Sequence, residues 1–175
     1  MHEPNLICSV RSIVQDNQID LPESPGVYAF WWIGDRQTLM KGNRQIILKG
    51  PGGCDVPVQY EDWWPDELHY PCLYVGKTTN LKKRFSLHIK RGSKQRLHEI
   101  DPRNAKAEPI TSSCQLRFGI EHVFPEEADP LKLIENSVGF SFRSNFVGNP
   151  VTERFYEENR LVGMWRPWFN IDSER

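Results

Sequence analysis

Tyr74, Lys77, Arg84 and His88 fall close together in LYVGKTTNLKKRFSLHIKR, residues 73 to 91. The short apolar run Cys72 to Val75 ends at Gly76, and the polar Thr78-Thr79-Asn80 follows. Arg84 and His88 are four apart, so on a helix they stand one above the other on one face. A guanidinium fork, an imidazole and an ammonium beside a strand end suit a phosphate, because the fork matches two of its oxygens at once. Tyr28 lies upstream in GVYAF, and Glu158 and Asn170 lie in the last segment. Phosphodiester hydrolysis needs an activated water, neutralised charge at phosphorus and help for the leaving oxygen. A divalent cation on a carboxylate serves the last two needs.

The elements that must hold these groups follow from pattern. Thr78 to Asn80 supply a helix cap, and Leu81, Phe85 and Ile89 give the next helix a narrow apolar stripe that stops near Gly92. Gly26 to Ile33 is apolar on both faces, as expected of a central strand, and Pro22 to Pro25 forms a turn before it. Leu6, Ile7, Val10 and Ile13 predict a short helix over 5–14. The turn signals Gly34-Asp35 and Gly42-Asn43 bracket a second strand, Arg44 to Leu48 reads as a third, and GPGGCDVPVQYEDWWPDELHYP reads as irregular and surface-laid. QLRFGIEHVF, 115–124, alternates as a strand does. Pro130 opens a helix carrying Leu131, Ile134 and Val138, and Thr152 caps a last helix to about Met164. On that helix Glu158 falls among Phe155, Leu161 and Val162. An acid in an apolar stripe is costly without a partner, either a bound cation or an arginine such as Arg154 or Arg160.

These residues carry a resemblance. Tyr74-Val75-Gly76-Lys77, with Arg84 and then His88, resembles the second half of a GIY-YIG nuclease motif, and Gly26-Val27-Tyr28 stands in the GIY place. The lead-in LPESPGVYAF is similar to that of the excision-repair nuclease subunits. Glu158, Leu161-Val162, Pro167 and Asn170 resemble the family's E-x-x-L-I…P-x-x-N ending. Glu135, in LKLIENSVGF, has no such ending after it.

The resemblance implies one α+β domain over 1–175, a small antiparallel sheet flanked by helices. It implies a metal-dependent endonuclease cutting DNA, with Mg2+ or Mn2+ on Glu158. Arg84 would hold the scissile phosphate, Tyr28 would activate water with Tyr74 and Lys77 positioning it, His88 would relay a proton and Asn170 would tie the chain end to the site. An idle nucleic-acid-binding module of the same fold is the alternative, and nothing in the motif separates DNA from RNA.

The chain departs from the pattern in one respect: residues 34 to 70 separate the two tyrosine motifs, where relatives have a tight connection. Within this insertion Tyr60, Trp63 and Trp64 either engage nucleic acid by stacking or form a flap on the protein itself. With no second DNA-binding domain, recognition falls to the insertion and a homodimer, or to a partner protein.

Net charge is −1, so charge placement matters more than its total. Leu68 to His98 holds no acid and eight cations, Lys77, Lys82, Lys83, Arg84, Lys90, Arg91, Lys94 and Arg96. Lys82, Lys83, Lys90 and Arg91 are expected to face the phosphate backbone. The hydrophobic share of 38% and charged share of 26% are those of a globular domain. No run is long and apolar enough for a membrane span, and MHEPNLICSV lacks a signal pattern. Four scattered cysteines (Cys8, Cys54, Cys72, Cys114) read as free thiols, so the expected setting is the cytoplasm.

Neutralising Lys82, Lys83 and Lys90 together is expected to weaken duplex binding for every sequence. The slope of log K against log salt should flatten by at most ~2.7 units. Fluorescence anisotropy across a salt series measures this, and an unchanged slope would mean that the face is merely solvated.

Overall fold

The computed structural model describes residues 6–16, 18–90, 115–146 and 150–171. Four strands, β1 (Cys8–Ser9), β2 (Gly26–Trp32), β5 (Cys72–Thr78) and β6 (Val138–Arg143), form an antiparallel sheet in the order β1-β6-β2-β5. A separate ribbon pairs β3 (Gln45–Lys49) with β4 (Asp55–Gln59). The helices are α1 (Val10–Val14), α2 (Arg36–Met40), α3 (Leu81–Lys90), α4 (Gln115–Val123), α5 (Pro130–Ser137) and α6 (Pro150–Trp165). The coarse expectation, α+β with a small antiparallel sheet, holds.

β2 is buried along all seven residues. Alternation sends its side chains into two different cores. Tyr28 and Phe30 meet His88 and Phe85 of α3, whereas Trp31 packs edge-on against Trp165 of α6 with ring centroids 4.7 Å apart. The two helices that carry the candidate site therefore cover opposite faces of one strand.

Four expectations are corrected. Residues 36 to 40 are a helix rather than a strand, because Asp35 caps it by accepting from the Thr38 N–H at 2.8 Å. Residues 115 to 123 are also helical. Leu116, Ile120 and Val123 are buried at i, i+4 and i+7, and Arg117 and Glu121 form a buried ion pair at 2.8 Å. On a strand that pair would lie ~13 Å apart. The sheet instead takes β6, where Val138 begins the strand and is not a helix residue. Thr152 is likewise not the cap of α6 but lies inside its first turn, behind Pro150. Gly92 and Arg91 lie outside the described residues.

The stretch expected to be irregular and surface-laid is exposed over 51–55 but contains the strand β4, and from Tyr60 on it is not surface-laid. After the ribbon, Tyr60, Trp64 and Leu68 are buried, and Trp168 stacks on both Tyr60 (5.1 Å) and Trp64 (4.6 Å). Trp63 is half-buried and donates its indole N–H to the Arg166 carbonyl at 2.9 Å, while Arg166 returns a bond to the Trp63 carbonyl at 3.2 Å. The insertion thus straps down the segment that ends at Asn170. Trp64 and Tyr60 have no open face for a base, so the stacking alternative is corrected for them, and Trp63 is committed to the strap.

Trp64→Ala is expected to lower stability by ~3–5 kcal/mol, the range for deleting a buried large aromatic. Urea denaturation with an unchanged midpoint would instead return Trp64 to a surface role.

Candidate functional site

Gly76 explains why two phenols can converge. It is paired with Tyr28 across β2 and β5, and a Cβ built there would fall 2.5 Å from the Tyr28 hydroxyl and 2.8 Å from the Tyr74 ring. Any side chain would push the tyrosines off the strand. Tyr28 and Tyr74 lie on the same sheet face, with ring centroids 6.1 Å apart.

α3 brings Arg84 and His88 to this pair. Arg84 Nε donates to the Tyr28 hydroxyl at 3.0 Å, and His88 Nε2 lies 2.8 Å from it. The other imidazole nitrogen, Nδ1, accepts the Leu116 N–H at 3.3 Å, one of the donors left over at the start of α4. A neutral ring that accepts at Nδ1 carries its proton on Nε2, so His88 donates to Tyr28.

Burial and then the Arg84 charge push the His88 pKa down to about 3. His88 is therefore neutral at physiological pH. It is bonded to the Tyr28 hydroxyl on one side and to the Leu116 N–H on the other.

Burial acts on Tyr28 as well. Burial pushes its hydroxyl well above the ordinary phenol range, Tyr74 adds to the rise, and Arg84 opposes it. Tyr74 is also raised by burial, again with Arg84 opposing. Lys77 does not contribute as expected. It is paired with Val27, the residue next to Tyr28 in β2, and so leaves the sheet on the opposite face.

Lys77 is instead joined to Glu158. Its ammonium pairs with Oε2, and its backbone N–H donates to Oε1 at 3.1 Å. The ammonium also sits 4.1 Å from the ring centroid of Phe155, which is half-exposed. The partner of Glu158 is thus neither Arg154 nor Arg160, and Arg160 pairs with Glu157. Asn170 lies beside this pair. Its amide donates to the Val75 carbonyl at 2.8 Å and its oxygen accepts the Val75 N–H at 2.7 Å.

Glu158 has a side chain 16% exposed, and among the described residues no three His, Cys, Asp or Glu side chains gather around it. A single carboxylate fits Mg2+ or Mn2+, which keep several waters and take substrate phosphate oxygens. It does not fit a cation that needs a full protein cage. Such an ion would compete with the Lys77 ammonium.

The described part of the basic run is open to solvent, with one surface ion pair. Lys82 is held by Asp20 at 3.0 Å, an acid distant in sequence, while Lys83 is exposed. The decoy Glu135 accepts from Gln15 at 3.0 Å, away from these groups. The Lys77–Glu158 pair was invisible to pattern, since it joins a strand to a helix across 81 positions of chain.

No family model, curated protein or solved structure matches the chain. Among the described residues no helix is long and apolar enough to cross a membrane.

The folded pKa of His88 lies below its ordinary 6.5, so the unfolded chain takes up a proton that the folded chain refuses. This contribution to stability is complete above pH 6.5 and is lost as pH falls towards about 3, by up to ~1.4 kcal/mol per pH unit. His88→Gln is expected to flatten the decline in urea midpoint between about pH 6 and pH 4. Parallel profiles for the two proteins would show that His88 titrates as if exposed.

Proposed function

We propose that the protein is a divalent-metal-dependent endonuclease of the GIY-YIG type that hydrolyses DNA phosphodiester bonds. The observation that carries this reading is the convergence of Tyr28, Tyr74, Arg84 and His88 over Gly76, with Glu158 anchored to the same strand one residue further on. Bringing these groups together is costly for a fold that needs only stability. Two phenols are buried, an imidazole is held neutral, and a guanidinium is spent on a hydroxyl.

In this reading Arg84 binds the scissile phosphate and neutralises charge as it develops. Tyr28 is locked by Arg84 and His88 and serves to position. Tyr74, 9% exposed against 2% for Tyr28, is the phenol that reaches the attacking water. A Mg2+ or Mn2+ ion on Glu158 supplies charge neutralisation at the leaving oxygen. Glu158 would hold that ion in place of the Lys77 ammonium, and Lys77 would then face the substrate backbone. Asn170 keeps β5 in register with the helix that bears Glu158.

Purified protein is incubated with supercoiled, linear and single-stranded DNA, with Mg2+, Mn2+ or EDTA. Cleavage that needs the metal is expected. Glu158→Gln should reduce it at least ~100-fold, the scale for removing one preorganised stabilising group, while DNA binding in EDTA persists. Glu135→Gln should stay within about tenfold, as a group outside the site does. The reverse order would move the metal to Glu135, and binding without cleavage by the wild type would leave an idle binding module.

A further inference from the structure

Lys77 holds Glu158 in two ways that differ in mobility. Its ammonium pairs with Oε2 at the end of a flexible four-carbon stem, whereas its backbone N–H donates to Oε1 at 3.1 Å from the paired strand β5. The carboxylate therefore keeps a fixed donor when the ammonium leaves. The ammonium also has room to leave. The lysine side chain is 29% exposed, and its head rests 4.1 Å from the centroid of the half-exposed Phe155 ring.

The neighbouring charges make this pair one-to-one. Arg143 is paired with Val27 and Val27 with Lys77, so these three side chains form one row on the sheet face that α6 covers. α6 meets the row with consecutive acids. Glu157 is taken by Arg143 at 3.4 Å and by Arg160 at 2.7 Å, which leaves Glu158 to Lys77. Among the described residues no second carboxylate pairs with Lys77 and no second cation pairs with Glu158.

This closes the site at both ends. Glu158 carries an ammonium on one oxygen and an N–H on the other, so it accepts a divalent ion only by giving up the ammonium. Lys77 in turn meets a phosphate only by giving up the carboxylate. A polyanion and a divalent cation thus ask for the same exchange from opposite sides.

We propose that Lys77 couples the two ligands: its ammonium closes Glu158 to a divalent ion until a backbone phosphate of the substrate takes the ammonium, so that metal and substrate each bind more tightly in the other's presence. This inference rests on the nuclease reading above. It adds that the enzyme holds its metal firmly only with a substrate in place. Such coupling is reciprocal, and in proteins it spans about 5- to 150-fold.

The first arm of the test needs neither metal nor cleavage. Affinity for duplex DNA is measured in EDTA by fluorescence anisotropy for the full chain, Glu158→Gln, Lys77→Met and the double variant. Glu158→Gln keeps an acceptor for the Lys77 N–H and frees the ammonium, so it should bind at least ~5-fold more tightly than the wild type. In the Lys77→Met background the same change should leave affinity nearly unaltered. Equal tightening with and without Lys77 would reflect only lost repulsion and would overturn the coupling, as would no tightening at all. The second arm uses Mn2+ alone, followed by the electron paramagnetic resonance of the free ion. Lys77→Met should bind it at least ~5-fold more tightly than the wild type, and the double variant should lose that gain. An unchanged Mn2+ affinity would also overturn the coupling, and this arm decides if Glu158→Gln does not fold. If the wild type cleaves DNA while either arm fails, the nuclease reading stands without the coupling. A wild type that neither binds DNA nor cleaves it would overturn both.

Discussion

The outer edge of β5 is the constraint on which the rest of the structure depends. An edge strand exposes unpaired N–H and C=O groups, and a fold must cover them or risk pairing with another chain. Here side chains do the covering. Trp64 Nε1 donates to the Cys72 carbonyl, the Asn170 amide takes both groups of Val75, and Glu158 accepts from the Lys77 N–H. The insertion, the C-terminal segment and α6 are each tied to β5 at a different residue. Covering the edge and placing a carboxylate beside the strand's end are one arrangement.

The second consequence concerns charge. β2 divides the molecule, with the tyrosines, Arg84 and His88 on one side and Val27, Trp31 and α6 on the other. Burying polar groups inside an aromatic shell keeps them in their neutral forms. That is why His88 stays uncharged and both phenols hold their protons, although the Arg84 guanidinium opposes the rise in each of them. Lys77, Glu158, Glu157 and Arg143 form a more open ionic row on the α6 side. The two chemistries meet only around Gly76, where the absence of a Cβ lets the Tyr28 hydroxyl reach the strand.

The insertion shows how far a composition signal can mislead. Gly, Pro and Trp in close succession read as a loop, yet the same tryptophans are the largest apolar surfaces available to hold the chain end in place. Trp168 lies between Tyr60 and Trp64 in a stack, and Trp168 Nε1 closes it by donating to the Glu61 carbonyl. The second half of this segment holds the chain end that carries Asn170.

By itself the sequence determined the apolar strand at 26–32, the strand and amphipathic helix around Gly76, and the helix bearing Glu158. Each rests on local periodicity, on caps or on glycine, all of which act within a few residues. It also singled out Tyr28, Tyr74, Arg84 and His88, which the fold brings into contact. Only the tertiary structure decided what those groups touch. Residues 115 to 123 satisfy a strand's alternation and a helix's stripe equally, and burial of Arg117 with Glu121 chose the helix. β6 was unreadable because a strand of Val, Gly, Phe and Ser gains its stability from neighbours far along the chain, and so the row from Lys77 to Arg143 was unreadable too. Which partner Glu158 takes, and whether His88 is charged, depend on dielectric and on distance through space, and neither is written in the order of residues.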